Sequence, residues 1–170
     1  MYLLSIYFDE KSNEKIRSYM YNVAEASGNS FMTDNNVPPH ITIAAFNTKN
    51  EEYAIRAYNT IKTKFTEGNV NWVSIGTFGV SVVYIAPVLN EYLHNLCTTV
   101  YQELGRIEEI DIDNKYTPFN WLPHTTIAKT LSKEQQLIAI STLQDRFCVS
   151  NGHVVKIGLA RTNPYIELNV

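Results

Sequence analysis

A chain of 170 residues with 45% hydrophobic and 18% charged side chains has the make-up of a globular protein large enough to bury a core. Its net charge of −3 excludes a broad basic face for duplex DNA or long RNA, but not a local cleft for a small phosphate-bearing ligand. Cys97 and Cys148 lack Cys-x-x-Cys spacing and fall at apolar positions near or within predicted helices. They read as small buried hydrophobes, not as a disulfide or a zinc site.

Residues 2–8, rich in aromatic and branched side chains, predict a buried strand. The apolar run meets Asp9-Glu10 at once and has no basic start. It is too short for a membrane span or a signal peptide, so a cytoplasmic location is expected. A helix follows over about 12–27, with Ile16, Met20, Val23 and Ala24 on one face and Gly28 at its end. Residues 29–38 carry turn-forming residues without periodicity and predict a loop.

A strand over about 40–46 and a helix over about 49–66 come next, the helix with Ala54, Tyr58, Ile61 and Phe65 inward. Residues 69–77 and 80–86 predict a hairpin around Phe78-Gly79. Pro87 is the expected start of a third helix carrying Leu89, Leu93, Leu96, Cys97, Val100 and Leu104, closed by Gly105. Residues 106–120 form a long irregular connection, the kind that is functional or mobile in a compact domain. Its acidic run Glu108 to Asp113 lacks the glycine turn and ligand spacing of a calcium loop, so it reads as solvated. A strand over 123–130, a helix over 133–147 with Leu137, Ile140 and Leu143 inward, and a hairpin of 153–161 with 165–169 across Asn163-Pro164 complete the chain. Helices and strands mixed with hairpins predict an α+β fold in one domain spanning 1–170.

Within this order the chain writes one stretch twice. Pro39-His40-Ile41-Thr42-Ile43-Ala44 returns as Pro123-His124-Thr125-Thr126-Ile127-Ala128. Thr48 and Ser132 each follow their histidine by eight residues, and Glu51 or Gln135 comes three later, the pattern of a capping box. The repeat is therefore a strand with His and Thr, a turn and a capped helix, and two such units predict pseudo-symmetric halves. Strand alternation puts His40, Thr42 and Ala44 on one face, and His124, Thr126 and Ala128 on the corresponding face. Ile41, Ile43 and Ile127 then point to the core.

Two imidazoles and two hydroxyls meeting in one cleft suit in-line displacement at phosphorus. One neutral His takes a proton from the attacking oxygen and a protonated one gives a proton to the leaving oxygen. The hydroxyls donate to non-bridging oxygens as charge builds. Imidazole suits both tasks because its pKa of about 6.5 lies near working pH. No cofactor or metal is called for.

At His40-Ile41-Thr42 and His124-Thr125-Thr126 the sequence resembles the two-histidine (2H) phosphoesterase superfamily, of the LigT-like or 2′–5′ RNA ligase kind. The resemblance implies a bilobal α+β fold, two pseudo-symmetric antiparallel sheets lining a central cleft with helices outside. It also implies metal-independent chemistry on RNA-type phosphodiesters, with 2′,3′-cyclic phosphates or 2′–5′ linkages as substrates and 2′–5′ joining as the reverse reaction. Carried over, His40 and His124 are the acid–base pair, and Thr42 and Thr126 bind the phosphate. The acidic balance favours a nucleotide or an RNA terminus as partner, with no duplex DNA and no membrane, and a monomer is expected. A nucleotide-binding module without catalysis on the same fold is the alternative.

Phe119 and Trp121 precede the second motif and are candidates to stack a base at the cleft mouth. Lys129 falls on the strand face opposite His124 by simple alternation, and so reads as solvated. Lys156 and Arg161 are further candidates for positive charge near the phosphate. His94 and His153 lack telling spacing and read as surface or packing residues.

Overall fold

The computed structural model describes residues 1–162 and 166–168. The strands are β1 (Tyr2–Phe8), β2 (His40–Asn47), β3 (Gly68–Phe78), β4 (Val82–Pro87), β5 (Asp111–Ile112), β6 (Thr125–Lys129), β7 (Ser150–Arg161) and β8 (Ile166–Leu168). The helices are α1 (Glu10–Ser27), α2 (Phe31–Asp34), α3 (Glu51–Lys64), α4 (Glu91–Leu104) and α5 (Lys133–Arg146), with a 3₁₀ turn at Asn114–Tyr116. This is the expected α+β fold. The predicted turn at Asn163-Pro164 and the strand ends at Tyr165 and Asn169 lie outside the described residues.

The strands pair antiparallel in the order β5-β2-β1-β7-β3-β4-β6, with β8 added along β7. The expected two sheets are the halves β2-β1-β7 and β3-β4-β6, and one long strand makes them continuous. β7 pairs β3 over Ser150 to Val154 and β1 over Val154 to Arg161. The two units read β1-α1-β2-α3-β3 and β4-α4-β6-α5-β7, and they exchange parts. α1 packs on α5 and β6, whereas α4 packs on α3 and β2, so each motif strand is covered by a helix of the other unit. The third strand crosses as well: β3 pairs β4, and β7 pairs β1.

β2 and β6 lie near opposite ends of the sheet path, yet their backbones come within contact range of each other. The sheet therefore bends back on itself, as the right-handed twist of strands allows over this many members. Burial of Ile6, Ile41, Ile43, Phe46, Val83, Ile85, Ile127 and Leu159 under the helices fixes that shape. Fully burying each such side chain contributes about 1.5–3 kcal/mol.

Several local expectations shift. α1 is capped by Asp9, which accepts from the Ser12 N–H at 3.0 Å, and ends at Gly28 in the left-handed region (φ 69). Ser132 and Gln135 form the full capping box, but Thr48 and Glu51 do not. Asn50 caps α3 instead, accepting from the Glu52 N–H at 3.0 Å. Pro87 ends β4 opposite Trp72, and α4 starts at Glu91 under the Asn90 cap. On α5, Leu137 is exposed while Gln136 and Ala139 are buried, because Gln136 turns inward to donate to the Gly79 carbonyl at 2.7 Å. Cys97 is buried as expected, whereas Cys148 is exposed just past α5. The acidic run is partly structured: Asp111 and Ile112 pair with the outer edge of β2, and Asp113 caps the 3₁₀ turn.

Among the described residues, no helix is long and apolar enough to cross a membrane.

Candidate active site

Each motif strand departs from simple alternation at the same place. Between β1 and β2, Leu4 faces Ala44 and Ser5 faces Thr42, so Ile43 is an extra residue. Between β4 and β6, Val83 faces Ala128 and Tyr84 faces Thr126, so Ile127 is the extra residue. The two bulges occupy matching positions of the repeat. A bulge shifts every later side chain to the other face. Ala44 and Ala128 thus join the core, at 1% and 2% exposure, and do not line the cleft as alternation predicted. By register the residues that return to the histidine face are Ala45, itself buried at 2% exposure, and Lys129, the second opposite Val82.

His40 opens β2 and His124 stands one residue before β6. Their rings are held alike. His40 Nδ1 lies 2.7 Å from the Pro38 carbonyl, and His124 Nδ1 lies 2.9 Å from the Leu122 carbonyl. A carbonyl only accepts, so Nδ1 carries the hydrogen in each neutral ring and Nε2 is left as the basic atom. An aromatic ring leans on each imidazole: Tyr7 at 6.2 Å from His40, and Tyr84 at 5.2 Å from His124. Each aromatic crosses a glycine of the neighbouring strand. A Cβ at Gly158 would stand 2.9 Å from the Tyr7 ring, and one at Gly76 would stand 2.4 Å from that of Tyr84. Phe78, at the end of the β3 hairpin arm, adds an edge-on contact to His124 at 4.8 Å.

The two halves meet here. The Trp121 indole N–H donates to the Thr42 carbonyl at 3.0 Å, tying the approach to the second motif onto the first motif strand. The His40 imidazole feels His124 and Lys129 electrostatically. Burial foremost, then the charges of His124 and Lys129, push the His40 pKa below the usual histidine value against the pull of the Pro38 carbonyl. Burial likewise lowers that of His124, which the Leu122 carbonyl opposes.

The hydroxyls differ. Thr42 is buried and shares a 3.3 Å hydrogen bond with Ser5, whereas Thr126 is half-buried on the cleft face. Thr125 points to the core and accepts from the Trp72 indole at 3.2 Å. Ser5 and Tyr84 were missed in the sequence. Ser5 has a signal, a lone hydroxyl inside an apolar strand, but Tyr84 becomes visible only when register puts it beside Thr126.

Lys129 corrects the parity argument, since the bulge returns it to the histidine face, with Nζ 4.6 Å from the Phe31 ring. Lys156 pairs with Glu167 and stands 5.4 Å over the Tyr7 ring, while Arg161 pairs with Glu51 at 3.6 Å, at the far end of β1 from His40. Of the two stacking candidates, Trp121 is buried beneath the motifs and Phe119 rests on His94 at 4.9 Å. His153 bonds Asn69 and Glu67 on the surface. Among the described residues, no three His, Cys, Asp or Glu side chains gather where a metal ion could be held.

Comparison with solved structures gives Kluyveromyces marxianus Usb1, with a TM-score of 0.56, 12% identity and coverage of 99% of this chain and 97% of that one. A second structure, the same protein with uridine monophosphate, matches with a TM-score of 0.49 and 11% identity over the same shares. At such identity the likeness of the first concerns the fold alone, and the fold is LigT-like. Comparison with curated proteins finds no match. The model of the 2′-5′ RNA ligase superfamily matches residues 14–164, which include both His-x-Thr strands. The chain belongs to that superfamily, a branch of the two-histidine phosphoesterases.

Proposed function

We propose that the protein is a phosphoesterase acting on RNA-type phosphodiesters, a 2′,3′-cyclic phosphate or a 2′–5′ linkage, through His40 and His124. The observation that carries this reading is the matched pair of imidazoles, each with Nδ1 fixed by the carbonyl two residues before it and Nε2 free for proton transfer. In hydrolysis, one neutral Nε2 takes a proton from water as its oxygen bonds to phosphorus. The other, protonated Nε2 gives a proton to the ribose oxygen as the old P–O bond breaks. Proton transfer by a positioned group of this kind contributes roughly 10²- to 10⁴-fold.

The hydroxyls of Thr42 and Thr126 donate to the non-bridging oxygens, and the Lys129 ammonium offsets their charge from the cleft face. None of these steps draws on a metal or a cofactor. With an RNA 5′-hydroxyl in place of water, the same two proton transfers open a 2′,3′-cyclic phosphate: the 5′ oxygen bonds to phosphorus, the P–O3′ bond breaks with its oxygen protonated, and a 2′–5′ linkage results. The modest charge favours a nucleotide or an RNA terminus as substrate, bound by one copy of the chain.

The test is a product-resolved assay in chelator against nucleoside 2′,3′-cyclic phosphates, the cyclic phosphate of ADP-ribose and 2′–5′-linked dinucleotides. Turnover of at least one is expected, and it should vanish in the His40→Ala, His124→Ala double variant. Tight binding of these compounds with no turnover of any would overturn the reading in favour of a binding module.

A further inference from the structure

The second motif strand has a back as well as a cleft face. Thr125, between His124 and Thr126, points away from the cleft, is fully buried and accepts from the Trp72 indole N–H at 3.2 Å. Trp72 and Ile85, the residue paired with Thr125 across β4 and β6, also line a cavity of about 290 Å³ under α1. That volume stands at the small end of the range of about 300–1,000 Å³ that small-molecule sites occupy. α1 supplies the opposite wall with Lys11, Lys15, Ile16 and Tyr19.

Two features of this cavity point to an anion. The charged side chains that line it are both lysines, and among the described residues neither forms a salt bridge. Lys15 donates instead to the Cys148 thiol, at 3.4 Å. Positive charge left unbalanced over an apolar floor concentrates anions. The second feature is Tyr19, which is 5% exposed and turns its hydroxyl towards Cys148 without a hydrogen bond of normal geometry. Buried polar groups are paired in the great majority of cases, so this hydroxyl is short of an acceptor.

We propose that the cavity binds a small organic anion. Its phosphate or carboxylate head is held by Lys11, Lys15 and the Tyr19 hydroxyl, and its apolar body lies on Ile16, Trp72 and Ile85. The site is separate from the cleft and does not rest on the phosphodiester reading. It is still joined to the second motif, because the occupant leans on the ring whose N–H holds Thr125. A shift of Trp72 is therefore felt on the strand that carries Thr126 and follows His124.

The two tryptophans provide the test, since each indole N–H gives one resonance and marks one place. Trp72 reports the cavity, and Trp121, bonded to the Thr42 carbonyl, reports the cleft. Loss of one resonance in Trp72→Phe or in Trp121→Phe assigns both. The isotope-labelled chain is titrated with phenyl phosphate, benzoate, inorganic phosphate and benzyl alcohol. Phenyl phosphate or benzoate should move the Trp72 resonance to saturation, and the tighter of the two identifies the head group. Inorganic phosphate lacks the body and benzyl alcohol lacks the charge, so each should bind roughly tenfold more weakly or worse.

In the Lys11→Gln, Lys15→Gln double variant the Kd of the better probe should rise roughly ten- to a hundredfold, the range for losing a hydrogen bond to a charged group. Either single variant should show part of that rise. An unmoved Trp121 resonance reports that the fold is kept. A Trp72 resonance that no probe moves, or that moves with the same Kd in the lysine variants, overturns the site. So does movement of Trp121 alone, which would put the anions in the cleft.

Discussion

The two copies of the repeat agree in how each holds its imidazole and differ in the side chains around it. Both carry a bulge after the threonine, both fix Nδ1 on the carbonyl two residues back, and both lay a tyrosine across a glycine beside the imidazole. Opposite the threonine, however, one has Ser5 and the other Tyr84; after the bulge, one has Ala45 and the other Lys129. A largely apolar cavity lies beside His124. A displacement at phosphorus needs two similar proton-transfer positions, and telling one end of a diester from the other needs two dissimilar flanks. On the proposed reading, the repeated motif meets the first need and the few unlike side chains around it meet the second.

The strongest way to break this comparison is to remove the imidazoles one at a time. His40→Ala and His124→Ala should each lower kcat/KM on a nucleoside 2′,3′-cyclic phosphate by roughly 10²- to 10⁴-fold. The double variant should be little worse than the poorer single one, because groups that act as a unit are far from additive. Steady-state kinetics on the three variants decides it. A single variant within tenfold of wild type would show that the two copies are not chemically equivalent.

Lys129 sharpens the comparison, since it is the charge that one copy has and the other lacks. Lys129→Met should lower kcat/KM roughly ten- to a hundredfold, the range for losing one charge-assisted contact. It should also move a pH limb. Activity rises with pH as the base loses its proton and falls as the acid loses its own, giving a bell. Both histidine pKa values are lowered, so the wild-type kcat/KM should peak on the acid side of about 6.5. Taking the cation from beside His40 raises its pKa, so the limb that His40 controls should shift to higher pH. A full pH–rate profile of both proteins measures this, and an unmoved limb would detach Lys129 from the site.

Much of this was legible in the sequence, and the losses have physical causes. The repeated His-x-Thr strand identified the motif positions because its chemistry is carried by residue type and spacing. Lys129 and Ala44 were put on the wrong faces because alternation counts every residue, and a bulge is a matter of pairing that only the partner strand reveals. Tyr84 could not be found for the same reason, as its place beside His124 is fixed by β4–β6 register. Phe119 and Trp121 were singled out for nearness in sequence to the second motif. Phe119 takes a positive φ of 69° and its ring rests on His94, while Trp121 donates its indole N–H to the Thr42 carbonyl and lines the cavity beside His124. The exchange of α1 and α4 between halves left no trace in periodicity, because an amphipathic helix shows which face it buries and not against what.

The threonines separate stability from activity. Thr42→Val and Thr126→Val should each lower kcat/KM by roughly ten- to a hundredfold, the range for losing one hydrogen bond to a charged group. Only Thr42→Val should also destabilise the fold. It leaves the buried Ser5 hydroxyl without its partner, at about 1–3 kcal/mol, whereas Thr126 is half-buried on the cleft face. Urea unfolding beside kinetics separates the two effects.

The smallest expected difference lies at the helix starts, where the sequence offered two identical caps and the fold keeps one. Ser132 and Gln135 exchange two hydrogen bonds, of 3.2 and 3.0 Å, at the start of α5. Ser132→Ala should therefore cost about 1 kcal/mol. Thr48 stands two residues before the cap of α3, and its exposed hydroxyl accepts a long 3.4 Å bond from the Asn50 N–H and donates one of 3.3 Å to the Asn50 carbonyl, so Thr48→Ala should cost less than a true cap. The loss expected of a cap should appear instead in Asn50→Ala, whose side chain accepts from Glu52. Denaturant midpoints of the three variants test this ordering. Equal losses at Thr48 and Ser132 would mean that α3 begins two residues earlier in solution, restoring the symmetry that the His-x-Thr strands suggest.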